Sequence, residues 1–396
     1  MGISFFQKIA AVTVISEKNF LSRIAVIAET LPKDRYKSGV GVVVGETVSA
    51  AMEHHLHVTL IGPSATDQTC DKRITVPCIR PVRNYPSTFP FLIFWTFALY
   101  NALQEVQLVH IHSVTPLSVW SIVILSMMKN RPKVVFHLHT DFSQYLAAWI
   151  GWKLLRDIAI NLTASVTRFC CNRADKILAP SAFFAKKMKR ELKLDRNIEV
   201  WSSPITLPEI EAEVKVPQGP YIVCACRVGD EKNIVHLFKV LTFLSKEISL
   251  VIVGGGEIKR YKKIIAEKWP KLEKRIIFTG AVSRVELLAY CRKALCFVFG
   301  SKTETQGLTV FEALAMRIPA FVMKGYCFDD LLSDCEDVSL LPDDPEAWAA
   351  AISMFMYDRS LAKIAGNEGA KLVEEKLSSR VQRKRLVTIY RLLHSE

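Results

Sequence analysis

The sequence lacks the cysteine pattern of a zinc or disulfide protein. It has ten cysteines in 396 residues, and none forms a C-x2-C pair matched to a second pair or to histidines. Several lie in apolar runs, where a free cysteine behaves as a small hydrophobe: Cys224, Cys226, Cys291 and Cys296. This usage predicts a reducing compartment and argues against a fold held by disulfides.

The N-terminus lacks the marks of a targeted chain. No charged n-region precedes a long apolar core and a small-residue cleavage site, so no secretory signal peptide is predicted. Phe6 stands where N-myristoylation requires Ser or Thr. Residues 1–22 are apolar with few charges, which leaves two alternatives open: a loosely packed extension or a surface-seeking helix.

Acidic residues are scarce in the first half of the chain. The net charge is +13, and residues 1–200 contribute +10 of it, with 24 Lys and Arg against 14 Asp and Glu. Such an imbalance predicts an anionic partner for the first half, and nucleic acid and anionic lipid both satisfy the charge. No stacking-aromatic or groove-helix motif accompanies it, which disfavours a nucleic-acid binder.

Short apolar runs alternate with helical patterns throughout, which predicts an α/β fold. The length allows two domains of ordinary size, and a hydrophobic content of 50% excludes general disorder. A strand at 23–28 leads through Gly39 and Gly41 to a helix predicted over about 42–55 and a second strand at 58–62. The glycine spacing is not G-x-G-x-x-G, so the dinucleotide fingerprint is absent.

Residues 299–315 combine the features of an anion site. An apolar run that predicts a buried parallel strand ends at Phe299, and an apolar-rich helix begins near Leu308. The first amides of that helix, with its dipole behind them, are predicted to face an anion: Gly307, Leu308 and Thr309. Glu304 and Glu312 flank the site, and carboxylates accept hydrogen bonds from sugar hydroxyls. A diphosphate between two sugars, as in a nucleotide sugar, fits this combination.

Glu304 and Glu312, with seven residues between them, resemble the E-x7-E motif of retaining glycosyltransferases of the GT-B fold. The surrounding residues 304–309 and 312–315 are similar to glycosyltransferase family 4. In that family the second glutamate binds the nucleotide ribose and the first faces the donor sugar. The resemblance therefore implies these roles for Glu312 and Glu304, and donor contacts for Gln306, Gly307, Leu308 and Thr309.

Two cations and two glycine turns extend the resemblance. Arg227 and Lys232 follow the strand predicted at 221–225 and match the family's Arg…Glu-Lys motif. Two cations aimed at a diphosphate stabilise the charge that develops on the departing nucleotide. The glycine turns at Gly39-Val40 and at Gly254 also match family positions, which implies donor binding for Gly39, Val40 and Gly254.

His139 ends the strand that begins near Val134 and opens the run His-Thr-Asp-Phe, with Tyr145 after it. A single histidine is more often structural than catalytic, so the residue alone leaves its role open. The run resembles a family 4 signature whose histidine lies beside the donor sugar, which implies a catalytic role for His139. The closest resemblance of this stretch is to enzymes that glycosylate diacylglycerol or related membrane acceptors.

Two segments are candidates for membrane contact. A predicted short helix carries basic residues, which form either a solvated face or a patch for anionic lipid: Lys186, Lys187, Lys189, Arg190 and Lys193. Apolar residues interleave with them, Phe183, Phe184, Met188 and Leu192, and could enter a membrane shallowly. Residues 84–104 carry no charge, but Pro90 and scattered polar residues favour a helix covering the sheet over a membrane span. The alternative is a helix whose outer face dips into a membrane interface.

The resemblance implies a GT-B fold of two Rossmann-like domains facing a cleft. We expect an acceptor domain at 1–201, a linker at 202–219, a nucleotide-sugar domain at 220–378 and a last helix, 379–396, that crosses back onto the first domain. The expected enzyme is a retaining hexosyltransferase with a lipid acceptor, on the cytoplasmic face of a membrane, without cofactor or metal. The alternatives are a lipopolysaccharide or soluble sugar acceptor and a non-catalytic relative that binds a nucleotide sugar.

Overall fold

The computed structural model describes residues 21–29, 39–63, 70–82, 85–88, 91–141, 152–333 and 339–396. The interpretations of the first 20 residues and of Tyr145 fall outside this part of the chain. Two parallel sheets, each flanked by helices, make up the described structure, which confirms the predicted α/β, GT-B fold with two Rossmann-like domains.

Residues 23–200 contain the first sheet. The strands of this half are β1 (Arg23–Ile27), β2 (His57–Gly62), β3 (Lys72–Thr75), β4 (Ile79–Val82), β5 (Tyr85–Ser87), β6 (Leu108–His112), β7 (Lys133–His137), β8 (Lys176–Ala179) and β9 (Glu199–Val200). Seven of them form one sheet in the order β3-β2-β1-β6-β7-β8-β9, and β4 pairs with β5 in a separate hairpin. β1 and β7 are almost entirely buried, as expected for strands covered on both faces.

The helices of the first half are α1 (Gly39–Glu53), α2 (Leu92–Gln104), α3 (Pro116–Met127), α4 (Lys153–Arg173) and α5 (Ala182–Glu191). α1 begins at Gly39, three residues before the predicted start, so the glycine turn lies in the first turn of the helix itself. α2 packs through Leu99 and Leu103, as the uncharged stretch at 84–104 predicted for a helix that covers the sheet. Among the described residues, no helix is both long enough and apolar enough to cross a membrane.

The second sheet has six parallel strands in the order β12-β11-β10-β13-β14-β15. They are β10 (Tyr221–Ala225), β11 (Ser249–Val253), β12 (Ile276–Gly280), β13 (Phe297–Phe299), β14 (Ala320–Met323) and β15 (Ser339–Leu341). The helices are α6 (Ile234–Phe243), α7 (Ile258–Lys268), α8 (Arg284–Arg292), α9 (Leu308–Ala315), α10 (Cys327–Leu331), α11 (Pro345–Tyr357) and α12 (Arg359–Leu372). The strand order reverses between β10 and β13, and open α/β sheets bind ligands at such a reversal.

The last helix, α13 (Ser379–Ser395), returns to the first half. Its apolar side packs in the same core as β1 and α1 through Leu386, Val387, Ile389, Tyr390 and Leu393. Trp201 is fully buried in that core, and its indole Nε1 donates to the carbonyl of Gln382 at 2.9 Å. The last helix therefore packs on the first domain.

Candidate active site

The loop between β13 and α9 forms the centre of the candidate site. Gly307 is the N-cap of α9 with φ +79°, a left-handed conformation that favours glycine, and a Cβ there would lie 2.5 Å from the Phe328 ring. The amides in the first turn of α9 have no carbonyl four residues earlier in the helix, so they can receive an anion. Thr309 fixes this turn to the end of β10, because its hydroxyl donates to the Ala225 carbonyl at 3.1 Å.

Cations and acids are paired in front of this helix end. Lys232 forms a very short ion pair with Glu304, and both side chains are 15% exposed. The hydroxyl of Ser301 also donates to the Glu304 carboxylate, at 3.2 Å. Arg227 makes a 2.5 Å ion pair with Glu231, four residues later. The structure therefore brings Lys232 and Glu304 into contact across 72 residues of sequence and holds Arg227 on a carboxylate of its own loop.

Glu312 is a buried carboxylate held by Arg284, the first residue of α8. The Arg284 Nε lies 2.8 Å from Glu312 Oε1 and its Nη2 lies 2.5 Å from the same oxygen. Burial raises the pKa of Glu312, and the guanidinium of Arg284 opposes that shift. Arg284 also donates through Nη2 to the carbonyl of Thr206, in the linker. Glu312 thus lies on the helix that starts at Gly307, with one oxygen fixed by a cation.

Three contacts join the loop between β13 and α9 to the linker and to the first domain. The Gln306 side chain bonds the backbone of Ser203 twice, accepting from its N–H at 2.8 Å and donating to its carbonyl at 2.9 Å. The hydroxyl of Ser181, which begins α5, donates to the Thr305 carbonyl at 2.7 Å. A Cβ on Gly39 would lie 3.6 Å from Leu308, so the glycine turn of α1 faces the start of α9. The carboxyl ends of the two sheets therefore meet at one cleft.

His139 belongs to a cluster of four buried histidines, which we call the histidine cluster: His110, His112, His137 and His139. Neighbouring rings in the cluster lie 3.8 to 5.6 Å apart between centroids. The Nδ1 of His112 lies 2.9 Å from the Nε2 of His139. Burial lowers the pKa of His139 to about 3, so this imidazole is neutral at physiological pH.

The histidine cluster has the residue types of a metal site. One ring nitrogen from each of His110, His112 and His137 lies within 4.8 Å of the others. The rings of His110 and His112 stack at 4.2 Å with an angle of 22° between their planes. The in-plane lone pairs of two stacked rings run side by side instead of converging, so a metal ion could bind here only if a ring turned.

The remaining residues singled out in the sequence lie at the margins of the cleft. Gly254 has φ +145°, and a Cβ there would lie 2.0 Å from the Cys226 carbonyl oxygen, so it lets β11 approach the loop of Arg227. Val40 is half-buried in the first turn of α1. On α5, Lys186, Lys189 and Arg190 are exposed, and Lys193 is exposed two residues after the helix ends. Lys187 instead makes a 2.5 Å ion pair with buried Asp141, two residues after His139.

The prediction that the apolar side chains of α5 enter a membrane is wrong. Phe184, Met188 and Leu192 are buried in the first-domain core, and Phe183 packs 6.2 Å from the ring of Tyr326 in the second domain. These side chains cover the sheet and the domain boundary, which leaves only the charged side of α5 facing water.

Sequence reasoning missed Arg284, Ser181 and His112. Arg284 follows Ser283, which with Glu286 forms a capping box, so the helix start was detectable from the sequence but its contact with Glu312 was not. The sequence did contain a pattern that indicates the position of His112. Histidines at alternate positions of two adjacent strands, with His112 paired to His137 in register, must share one face of the sheet.

Two family models match adjoining parts of the chain. "Glycosyltransferase Family 4" matches residues 37–207, and "Glycosyl transferases group 1" matches residues 208–372. Among curated proteins, the alpha-monoglucosyldiacylglycerol synthase of Streptococcus pneumoniae is 24% identical over 58% of this chain and 55% of its own length. The protein of the same name from Acholeplasma laidlawii is 27% identical, over 58% of this chain and 62% of its own length. The matches thus span little more than half of these relatives.

Solved structures share the whole fold. Sucrose-phosphate synthase from Thermosynechococcus elongatus aligns with a TM-score of 0.74 at 18% identity, covering 94% of this chain and 99% of that one. Anabaena HepE in complex with UDP and glucose aligns with a TM-score of 0.68 at 12% identity, covering 93% and 99%. Together with the paired domains and their facing sheet ends, the two family matches show that the chain belongs to the glycosyltransferases of the GT-B fold, with a family 4 half followed by a group 1 half.

Proposed function

We propose that this protein is a retaining hexosyltransferase that moves a hexose from a nucleotide-diphosphate sugar to a membrane lipid such as diacylglycerol. The observation that carries the proposal is the contact of Lys232 with Glu304 in front of the α9 N-terminus, with Glu312 one turn further along the same helix. A cation, two carboxylates and a helix end match the three parts of a nucleotide sugar: diphosphate, hexose and ribose.

The proposed reaction follows from these charges. The bond between the sugar C1 and the diphosphate oxygen breaks, and its electron pair leaves with the diphosphate. The acceptor hydroxyl oxygen bonds to C1 from the same face, and its proton passes to the departing phosphate oxygen. Lys232 and Arg227 turn from Glu304 and Glu231 to the diphosphate, where they stabilise the charge that develops on it. Glu304, released from Lys232, accepts hydrogen bonds from the sugar hydroxyls.

A uridine nucleotide is the first donor to try, because HepE, which shares this fold, was solved with UDP and glucose. The relatives named monoglucosyldiacylglycerol synthases support a lipid acceptor. They also make glucose the first hexose to test. The nucleotide and sugar are separate parts of the proposal, so a donor panel tests each of them.

An exposed apolar face on the first domain supports the lipid acceptor. On α4, four apolar side chains within two and a half helical turns point into solvent at exposures of 53 to 73%: Leu154, Leu155, Ile158 and Leu162. On α2, Phe94 and Phe97 are 82% and 76% exposed. We call the four α4 residues the outer apolar face, and the two α2 phenylalanines are a separate exposed pair. An amphipathic helix with an outward apolar stripe and an excess of cations around it fits an anionic membrane surface.

The test is incubation of the purified protein with a panel of radiolabelled nucleotide sugars and total membrane lipid, followed by thin-layer separation. We expect label in a glycolipid and an anomeric configuration in the product, read by NMR coupling constants, equal to that of the donor. Label transferred only to water-soluble material would instead favour a soluble or lipopolysaccharide acceptor. An inverted anomeric centre in the product would contradict the retaining mechanism. The absence of transfer with every donor would contradict the proposed glycosyltransferase activity.

A further inference from the structure

The contact between His112 and His139 has a direction that the structure allows us to assign. The His112 Nδ1 and the His139 Nε2 lie 2.9 Å apart, within hydrogen-bond distance. Both rings are uncharged, because burial lowers the pKa of His112 well below its usual value and that of His139 to about 3. Two neutral imidazoles share one proton in such a bond, so either His112 donates to His139 or His139 donates to His112.

The second nitrogen of His112 decides between the two directions. Its Nε2 is buried and has no hydrogen-bond partner within the described part of the chain. If His139 donated, His112 would carry its own proton on Nε2, as a buried N–H without an acceptor. If His112 donates, its Nε2 is a bare acceptor. Buried N–H groups without partners are rarer than unpaired acceptors, so the proton belongs on His112 Nδ1.

We propose that His112 positions His139 by donating its Nδ1–H to His139 Nε2, which places the proton of His139 on Nδ1 as a hydrogen-bond donor toward the cleft. Because the bond from His112 occupies Nε2 of His139, Nδ1 is the ring nitrogen that remains available to a ligand. His139 is also the most exposed member of the histidine cluster, at 7% against 1% or less for the others. The role in transfer rests on the proposed function, whereas the tautomer does not.

This assignment fixes what His139 does in the proposed reaction. A neutral imidazole with a proton on Nδ1 donates a hydrogen bond to an oxygen of the transferred sugar or of the leaving phosphate, and it neither gains nor loses a proton during transfer. His112 touches no reacting atom. It is a positioning residue, which sets the orientation and tautomer of the imidazole that does.

His112 is itself held in place by its neighbours. Its ring stacks on His110, with 4.2 Å between centroids, and the Nδ1 of His110 lies 2.5 Å from the Tyr390 hydroxyl on α13. Contacts between side chains thus run from Tyr390 on α13 through His110 and His112 to His139. Such packing restricts the ring of His112 to one rotamer, which a positioning residue requires.

The first test reads the tautomer without any reaction. Protonated and bare ring nitrogens of histidine have well-separated ¹⁵N shifts, and long-range ¹H–¹⁵N correlations on protein labelled at histidine identify them. The His139 signals are assigned by their loss in His139→Gln. We expect a protonated Nδ1 and a bare Nε2 for His139. A protonated Nε2 on His139 would overturn the proposal, whatever the activity.

The second test uses two amide variants that place the same amide N–H at different positions. The amide nitrogen of Asn superimposes on the Nδ1 of histidine, whereas that of Gln superimposes on Nε2. We expect His112→Asn to keep a kcat close to that of the parent, and His112→Gln to lose about 10- to 100-fold in kcat, because a misplacement of 1 Å costs that much in oriented catalysis. The donor KM should change little in either.

Tyr221→Phe is the matched control, because it removes the hydrogen bond of a buried tyrosine, from its hydroxyl to the Tyr290 carbonyl at 2.6 Å, in the core of the other domain. It should lower the melting temperature and leave kcat unchanged. Equal losses of kcat in His112→Asn and His112→Gln, or a loss in Tyr221→Phe that matches the loss in His112→Gln, would overturn the positioning role. If the parent transfers no sugar from any donor, the proposed function and this role in transfer both fail, and the NMR experiment still decides the tautomer.

Discussion

Arg284 holds Glu312 with two nitrogens on one carboxylate oxygen, Nε at 2.8 Å and Nη2 at 2.5 Å. The same guanidinium donates to the carbonyl of Thr206 in the linker. The Thr206 hydroxyl in turn donates to Glu46 on α1 at 2.8 Å, and Glu46 is paired with Arg383 on α13 at 2.7 Å. A chain of hydrogen bonds therefore links the carboxylate proposed to bind the ribose to α1 and α13 in the first domain.

Removal of Arg284 should destabilise the protein in a pH-dependent way. Arg284→Ala leaves the Glu312 carboxylate buried and unpaired, and loss of one partner from a buried pair costs about 3–5 kcal/mol. The pKa of Glu312 is already raised by burial, and without the guanidinium it rises further. An acid with a raised folded-state pKa contributes most stability when protonated and loses that contribution as the pH rises through this pKa.

The free energy of unfolding in urea is the measurement for this variant. The difference between Arg284→Ala and the parent should be larger at about pH 8 than at about pH 5, since the carboxyl is ionised at the higher pH. The double variant Arg284→Ala, Glu312→Gln is the control, because it removes the titrating carboxyl, and its deficit should not grow between pH 5 and pH 8. A deficit of equal size at both pH values in the single variant would contradict the buried-pair account.

The loss of Lys232 should lower the turnover number. Lys232→Ala removes the cation proposed to face the diphosphate, and we expect kcat to fall by about a hundredfold or more, the usual loss for one donor to a developing anion. Lys239→Ala, an exposed lysine on α6 of the same domain, is the control and should keep the parent kcat. Parent-like turnover in Lys232→Ala would remove this residue from the leaving-group role.

We expect Gln306 to stabilise the linker and to contribute little to the affinity for the donor. Gln306→Glu cannot donate to the Ser203 carbonyl and places a charge beside it, so a buried acceptor loses its partner at a cost of about 1–3 kcal/mol. We expect a lower melting temperature and faster proteolytic cleavage in the linker, with donor affinity by calorimetry close to that of the parent. A large loss of donor affinity with an intact linker would instead assign the Gln306 amide to the ligand.

The sequence predicted what depends on near neighbours along the chain. The apolar runs at 221–225 and 250–253 became strands, and the helix after Gly307 begins at Leu308, because burial of a strand and the start of a helix are set by a few adjacent residues. α1 starts earlier than predicted, at Gly39, because glycine is tolerated in a first turn that faces another domain. The resemblance added roles for Glu304 and Glu312 that spacing alone does not provide.

What the sequence could not predict depends on how helices are turned against the sheets. On α5 the interleaved Phe184 and Met188 could face either the core or a membrane, and only the packed structure shows that they face the core. The reverse holds on α4, where Leu154 and Ile158 are exposed although apolar residues at this spacing usually mark a buried side. Likewise, the contact between Arg284 and Glu312 joins residues 28 positions apart on two helices.

The last prediction concerns membrane attachment. If the outer apolar face enters the membrane interface, replacing Leu154, Leu155, Ile158 and Leu162 with Ser should abolish sedimentation with vesicles rich in anionic lipid. These side chains are already in water, so their replacement should leave the melting temperature nearly unchanged. The charge contribution is separate, and each basic side chain near the surface adds about 1 kcal/mol. Lys186→Gln, Lys189→Gln and Arg190→Gln together should therefore weaken attachment without abolishing it.

Salt distinguishes the two contributions. The Debye length falls from about 10 Å at 0.1 M to about 3 Å at 1 M. Salt should therefore weaken the attachment of the parent to vesicles and have little further effect on the variant without the α5 cations.

Lys187 stays in place in that variant, because it is paired with Asp141 beside His139 and its loss would disturb the site. Calorimetry with the donor checks that both variants keep an intact second domain. If the α4 variant pelleted as well as the parent, the outer apolar face would not be the docking surface. If the parent itself stayed in the supernatant, the lipid acceptor would give way to a soluble one.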